Sequence, residues 1–570
     1  MTFKERMVME WSRHKGRFFF LLFITVVSAV LRTAIPYYYK LVVDALETKM
    51  PVSEIGVFIT GIVILSVSRF IIYSYFQANR AMMNMRFQWT IRRRAFRNLL
   101  KVGRLTFQEM NTGEIVTRLS DDAEKLTWFL SSGVFRGLDA VLIFIFTVAM
   151  LLLMSPLLTL YTVFSMLTMT LFMALFDKTF HRAFNTLQRA ISETNDYIHS
   201  TMSGISIVKA FNREEQITGY FNEMVRNRKK KELKVVRLDV GLRGIYMSLH
   251  TISTIIVLLV GGLMKIHGTI TLGTLVAFLA LIKNLTHPVL DIGNLFVRGK
   301  SAAVSSTRIS ALEEMHSQEA CGTGKAVFEK EIALEKVGFI YEGSIILKDI
   351  SLNIRKGEKI ALMGKLGSGK SFLSLILAGI IQPTSGRMTV DGKDISTLNA
   401  EEYRLLTGYA SQQPVIFTDT IRNNILMGEE PDRERLEYAL RISQMGKEME
   451  KFGLGLDTVV GPKGKTLSGG QKQRLALARA LYHQPPFLIL DDITSALDAE
   501  TEMHLWEDLF AGIPHQTLVL VTHRPKTADI VDRIYILEEG RIAESGTHEE
   551  LMARPSLYQE IYHENSRTSS

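Results

Sequence analysis

The stretch Gly364-Lys365-Leu366-Gly367-Ser368-Gly369-Lys370-Ser371 decides how the chain is read. An apolar run, Lys359-Ile360-Ala361-Leu362-Met363, precedes it and reads as a buried strand. Residues 372–379 follow as an apolar run of helix formers. Strand, glycine loop and helix at G-x-x-x-x-G-K-S spacing is a phosphate-binding loop. The glycines let backbone N–H groups turn inward around an anion, and the helix N-terminus adds a positive dipole end. Gly364, Gly367, Ser368 and Gly369 line that cradle. Lys370 is placed to reach the β- and γ-phosphates of ATP, and the Ser371 hydroxyl to ligate Mg²⁺.

Outward from the loop, composition divides the chain. Of its 570 residues, 47% are hydrophobic and 22% charged, an average over two unlike halves. Residues 17–300 hold several long apolar runs, and residues 325–570 read as a soluble α/β domain. The single cysteine, Cys321, excludes an internal disulfide framework and a multi-cysteine metal site. The formal charge of +9 could suggest nucleic acid. Lys and Arg beside apolar spans, facing anionic lipid headgroups, explain it better, so no nucleic-acid partner is expected. No cleavable signal is evident: residues 1–17 are mixed and basic, and Phe18 opens a run too long for a signal core.

Residues 1–16 fit a short amphipathic helix at the membrane surface. A span needs ~20 apolar residues. Six candidates follow, at about 18–43, 55–76, 134–154, 157–176, 246–264 and 272–295. Short links join the first to the second, the third to the fourth and the fifth to the sixth. Long polar helix-forming links join the others and carry basic clusters, Arg92-Arg93-Arg94 with Arg97, and Arg226, Arg228 and Lys229-Lys230-Lys231. The positive-inside bias puts both long links and both chain ends in the cytoplasm. The membrane domain is therefore expected at 17–305. A polar, small-residue linker follows at 306–330, and a nucleotide-binding domain at 331–570.

Two further motifs bear on chemistry. Leu488-Ile489-Leu490-Asp491-Asp492 is an apolar strand ending in two carboxylates. Beside a phosphate loop, Asp491 is where Mg²⁺ would be held, and Asp492 is a candidate for orienting the attacking water. Leu467-Ser468-Gly469-Gly470-Gln471 opens a helical run about 20 residues before that strand. A Ser-Gly-Gly turn at a helix N-terminus is a second anion-binding device.

These motifs resemble the ATPase domain of ABC transporters. The whole chain resembles an ABC exporter half-transporter of the type IV architecture. That implies an α-helical polytopic membrane domain fused to an α/β P-loop nucleotide-binding domain. The resemblance implies an adenine-stacking role for Tyr341 and a Q-loop role, next to Mg²⁺ and water, for Gln412. It makes Ser495-Ala496-Leu497-Asp498 the D-loop and His523 the switch histidine at the γ-phosphate. Ser468, Gly470 and Gln471 belong to the signature, which in that family closes over a partner's phosphate loop. A dimer in the cell membrane is thus implied. Residues 107–114 and 203–211 resemble the two coupling-helix regions.

The chain departs from the family where glutamate usually follows the strand-end aspartate, because here it is Asp492. Aspartate is one methylene shorter, so its carboxylate falls ~1.5 Å short of a water placed for glutamate. General-base catalysis contributes about 10²–10⁴ in rate, so slow hydrolysis is expected. Val459 and Pro525 are lesser departures. A short carboxylate beside an intact signature resembles the degenerate-site subunit of a heterodimer. The retained His523 speaks partly for a slow homodimer, and the heterodimer is favoured.

Charged groups within spans are costly and point to function. Lys283, His287 and Asp291 share one face of the sixth span, and Arg32 and Arg69 lie on the first two. They could line a polar cavity for a small amphipathic substrate, a drug, lipid or peptide, or pair with neighbouring helices. An ATP-driven exporter subunit is the leading reading. An ATP-binding regulatory subunit and an importer on the same scaffold are the alternatives.

Overall fold

The chain is described from a computed structural model. It covers residues 2–568 apart from 109, 111, 316–321, 450–451, 462–463, 465, 498, 525–526 and 528. Side chains are further described except at 108, 165–178, 181, 243, 245–247, 249–250, 286–294, 499 and 564–568. His287, Asp291, Cys321, Asp498 and Pro525 therefore lie outside the described residues or side chains.

Two compact units emerge. One comprises residues 1–99 and 112–314, the other residues 100–111 and 315–570. The first is helical: α1 (Phe3–Ser12), α2 (Lys15–Glu47), α3 (Val52–Leu99), α5 (Thr112–Met154), α6 (Pro156–Ser203), α7 (Ile205–Ala210), α8 (214–266) and α9 (Leu272–Glu313). The short α4 (Arg104–Gln108) belongs to the second unit. Among the described residues, α2, α3 and α5 are long and apolar enough to cross a membrane, and 251–266 and 272–285 are shorter apolar helices. The expected fourth span falls within α6, largely on undescribed side chains. Apolar side chains that would be buried in a soluble bundle are exposed here, among them Phe19, Phe23, Val63, Ile64 and Phe70. That is what a lipid-facing helix surface requires.

Local sequence sets the helix ends. Thr2 and Glu5 form a capping box at α1, Ser155 caps α6 with Pro156 behind it, and Thr271 caps α9. Helix α9 runs on through residues 301–313, because their Ser and Ala side chains are compatible with a helix. One face of α1 carries Trp11 into the bundle. Its ring meets Phe87 and Phe135 edge-on at 5.1 and 5.5 Å, and its Nε1–H donates to the Leu130 carbonyl at 3.1 Å. Beside it Arg6, wholly buried, donates to Ser310 Oγ at 2.8 Å and to Glu313 at 2.6 Å. Arg94 reaches Glu10 at 3.0 Å and Glu313 at 3.7 Å. Four charges thus neutralise one another where α1, α3 and α9 meet.

The second unit has two sheets. The smaller is antiparallel in the order β2-β1-β4-β5, from Ser344–Arg355, Glu331–Tyr341, Ser385–Val390 and Lys393–Asp394. The larger runs β10-β9-β3-β8-β7-β6, from Arg541–Gly546, Arg533–Glu538, Lys359–Gly364, Thr517–Val521, Phe487–Asp491 and Thr407–Ala410. In it β9, β3, β8, β7 and β6 are parallel, and β10 is antiparallel to β9. Strands β7 and β8 are buried at every position, as strands covered on both faces must be. Leu105 of α4 packs against the same core. The parallel strands end on one edge, where a doubly wound sheet binds its ligand.

Candidate functional site

Strand β3 is fully apolar from Ile360 to Met363 and delivers the glycine loop at its C-terminal end. Gly364, Gly367 and Gly369 hold φ of 144°, 81° and 100°, which side-chain-bearing residues avoid. A Cβ on Gly364 would lie 2.0 Å from the Leu537 carbonyl, and one on Gly369 2.7 Å from Leu347, so glycine is required twice over. Helix α10 (Lys370–Leu377) starts from Gly369 with its first N–H groups facing the loop.

Lys370 is 6% exposed and its ammonium is folded back into the loop. It donates to the carbonyls of Gly364 and Lys365, both at 2.8 Å, and to Ser368 Oγ at 3.1 Å. Burial pushes it down to about 8, against the pull of Asp491 and Asp492. A triphosphate offers oxygens of higher charge than these carbonyls and would hold the ammonium protonated. Ser371, exposed, follows directly, then Phe372. The Tyr341 ring lies 5.5 Å from that of Phe372 at 42°, so Tyr341 of β1 sits beside the first turn of α10.

The β7 carboxylates approach from two strands away. Burial pushes Asp491 up, and hydrogen bonds from Ser371 and Ser374 partly offset it. Ser374 Oγ donates to Asp491 at 3.4 Å. Ser371 and Asp491 therefore form a hard-oxygen pair beside the loop, a donor set that suits Mg²⁺ completed by phosphate oxygens and water. Ser374 was not foreseen from sequence, although its i, i+3 relation to Ser371 puts both on one helix face.

Asp492 stands at the strand end with φ 48°, a left-handed conformation that aspartate tolerates better than most residues. Its N–H donates to the Val521 carbonyl at 2.9 Å, and its carboxylate accepts from Gln412 Nε2 at 3.0 Å. His523 follows β8, whose end is fixed to β3 by Thr522 N–H donating to the Leu362 carbonyl at 3.2 Å. The His523 ring is within reach of the Gly364 backbone, and burial, then Lys370, lowers its pKa. Lys370, Ser371, Asp491, Asp492, Gln412 and His523, scattered over about 150 positions of sequence, thus gather on one sheet edge.

The Ser-Gly-Gly turn is built differently. Ser468 caps the helix α11 (Gly469–Leu481), accepting from Gln471 N–H at 3.2 Å. Gln471 Oε1 accepts from Ser468 N–H at 2.9 Å, and its Nε2 donates to Glu448 at 2.7 Å. The Gln471 amide is thus committed within the chain, and Ser468 and Gly469 are the exposed groups of the turn. Glu448 also pairs with Arg474 at 3.0 Å. Gly470 is buried, and a Cβ there would lie 2.8 Å from Leu497. Sequence reasoning missed Glu448, because nothing in its short helix marks it.

Comparison with known proteins shows the family to which the chain belongs. Residues 18–289 match the family model of the ABC transporter transmembrane region, and residues 347–495 that of the ABC transporter. The chain is 30% identical to an ABC transporter ATP-binding protein of Bacillus subtilis, over 80% of this chain and 76% of the relative. A Staphylococcus aureus relative, provisionally named a multidrug export ATP-binding/permease protein, is 31% identical over 83% of this chain and 84% of its own length. A lactococcin transport/processing ATP-binding protein-like relative from Lactococcus lactis is 30% identical, over 82% of this chain and 66% of the relative. In fold, the chain superposes with a TM-score of 0.81 and 22% identity on a bacterial Atm1-family ABC exporter with ATP bound. The match covers 96% of this chain and 99% of that one. The chain therefore belongs to the ABC transporter family, as an exporter half-transporter with its membrane-spanning region and its ATPase domain fused in one polypeptide.

Proposed function

We propose that the chain is one half of a dimeric exporter that drives an amphipathic substrate across the cell membrane on ATP, and that its own ATP site is slow. Lys370 binds the β- and γ-phosphates, Ser371 and Asp491 hold Mg²⁺ with Gln412 nearby, and Tyr341 stacks on adenine. Asp492 and His523 face the attacking water and the γ-phosphate. Ser468 and Gly470 close over the partner's nucleotide, and Gln471 shapes that turn.

The single observation that carries this reading is Asp492, held by Gln412 beside the loop of Lys370. Its reach is one methylene shorter than the family's glutamate, so the site binds ATP well and turns it over slowly. That favours a heterodimer, in which this chain lends a complete signature to a faster partner site. The names of the relatives, multidrug export in one and lactococcin transport in another, suggest a drug or a peptide as cargo.

The test is copurification of the chain from its native membrane, followed by reconstitution into inverted vesicles. Mg-ATP should drive uptake of an amphipathic dye, and uptake should be severalfold faster with a copurified second half-transporter than without one. Uptake unaffected by ATP would refute export. Full activity of the chain by itself would refute the slow site.

A further inference from the structure

Gln473 lies three residues beyond the Ser-Gly-Gly turn, on the inner face of α11, and is 5% exposed. A buried amide must place its donors and its acceptor. Gln473 does so on one loop. Its Oε1 accepts the Ala496 N–H at 3.1 Å, and its Nε2 donates to Ser495 Oγ at 2.8 Å and to the Asp492 carbonyl at 3.4 Å. Ser495 Oγ donates in turn to the same Asp492 carbonyl at 3.1 Å. The two signature glycines press on this loop from the same side. A Cβ on Gly469 would lie 3.1 Å from Ala496 Cβ, and one on Gly470 3.1 Å from the Ala496 carbonyl. The turn and the loop after β7 are thus one packed body, and Gln473 is its polar stitch.

From this geometry we infer that Gln473 is a positioning residue. It ties the turn that serves a partner's nucleotide to the backbone of Asp492, which serves the chain's own. The inference deepens the proposed function and rests on its reading of Asp492 and Ser468. Through Gln473, the angle at which α11 presents Ser468 and the register of the Asp492 carboxylate against Gln412 move together. A change at one nucleotide is thereby felt at the other within a single polypeptide. The link needs no displacement larger than the play of three hydrogen bonds, because the glycines leave no slack between the two segments.

The prediction separates positioning from binding. Gln473→Leu removes all three bonds at similar volume. Gln473→Glu keeps an oxygen for the Ala496 N–H while setting a second oxygen against the Asp492 carbonyl. Full-length chain in detergent is measured twice on one preparation: equilibrium binding of a fluorescent ATP analogue, and single-turnover hydrolysis of Mg-ATP with protein in excess. Binding should stay within about two-fold of wild type in both variants, since the Lys370 loop is untouched. The hydrolysis rate should fall about ten-fold in Gln473→Leu, the effect of one or two lost hydrogen bonds, and at least as far in Gln473→Glu, whose buried oxygen opposes the Asp492 carbonyl. A wild-type rate in Gln473→Leu would overturn the inference. So would a parallel loss of binding, rate and thermal midpoint, since that is the signature of a merely structural side chain. Failure of wild-type chain to bind the analogue would instead strike at the ATP reading, and the binding arm reports it separately.

Discussion

The two units solve the same problem, burying polar groups, in opposite ways. In the nucleotide unit the polar groups converge on one sheet edge, where buried Lys370, Asp491 and Asp492 stand beside exposed Ser371 and Gln412. Ser371, Gln412, Ser468 and Gly469 are exposed, while strands β7 and β8 are buried throughout. In the helical unit the best-made polar cluster faces inward, and Arg6 and Glu10 are at most 2% exposed where α1, α3 and α9 meet. The first arrangement leaves hydrogen-bonding capacity for a ligand. The second uses it up on structure. A polar group in the nucleotide unit is therefore read as chemistry, and one in the helical unit first as architecture.

That contrast can be broken by mutation. Arg6→Ala should be the most damaging change to stability. It leaves Glu313 buried with only the longer contact to Arg94 at 3.7 Å, and breaking a buried pair costs about 3–5 kcal/mol. Thermal unfolding of the purified chain should show a clear drop while ATP affinity stays near wild type. An affinity that falls along with stability would show that Arg6 is more than a structural group of the helical unit.

Lys370→Ala should do the reverse. Loss of a charge-assisted hydrogen-bonding group should weaken ATP binding about 100-fold. The melting point should hold or rise, because the wild-type ammonium is buried at a cost. Titration calorimetry and differential scanning calorimetry on the same sample would check both halves.

The smallest effect is a pH dependence with a definite sign. Lys370 in the ligand-free loop titrates at about 8, and a bound triphosphate raises that value. The group whose pKa rises on binding contributes full affinity below pH 8 and loses it as pH climbs above. Between pH 7 and pH 8.5 the ATP affinity should fall about four-fold by this linkage. In Lys370→Met the slope should flatten, and an unchanged slope would assign it to another group.

How much of this was legible in the residues follows from distance along the chain. The phosphate loop and the signature were readable because each is a local device, with glycines, hydroxyl and lysine at fixed offsets. The Asp491-Asp492 pair was readable because an apolar strand announces it. The first three spans declared themselves by hydropathy, and helices α2, α3 and α5 carry them. What sequence could not show are contacts between distant side chains. Arg6 and Glu313 are 307 positions apart, and neither stands in a pattern. Gln473 stands in no sequence pattern of its own, and only its burial against residues 492–496 marks it. The role expected of Gln471 shifts in emphasis for the same reason. Its amide is occupied by Ser468 and Glu448, a fact about folded neighbours.

The central claim is that this ATP site is held in working geometry and slowed by one missing methylene at Asp492. The most direct measurement is single-turnover ATP hydrolysis by the full-length chain, wild type against Asp492→Glu, at saturating Mg²⁺. Glutamate extends the carboxylate toward the water, although it sits less easily than aspartate at φ 48°. A rise of about five-fold or more, within the reach of general-base catalysis, is the predicted result. An unchanged or lower rate, with ATP binding intact, would contradict it.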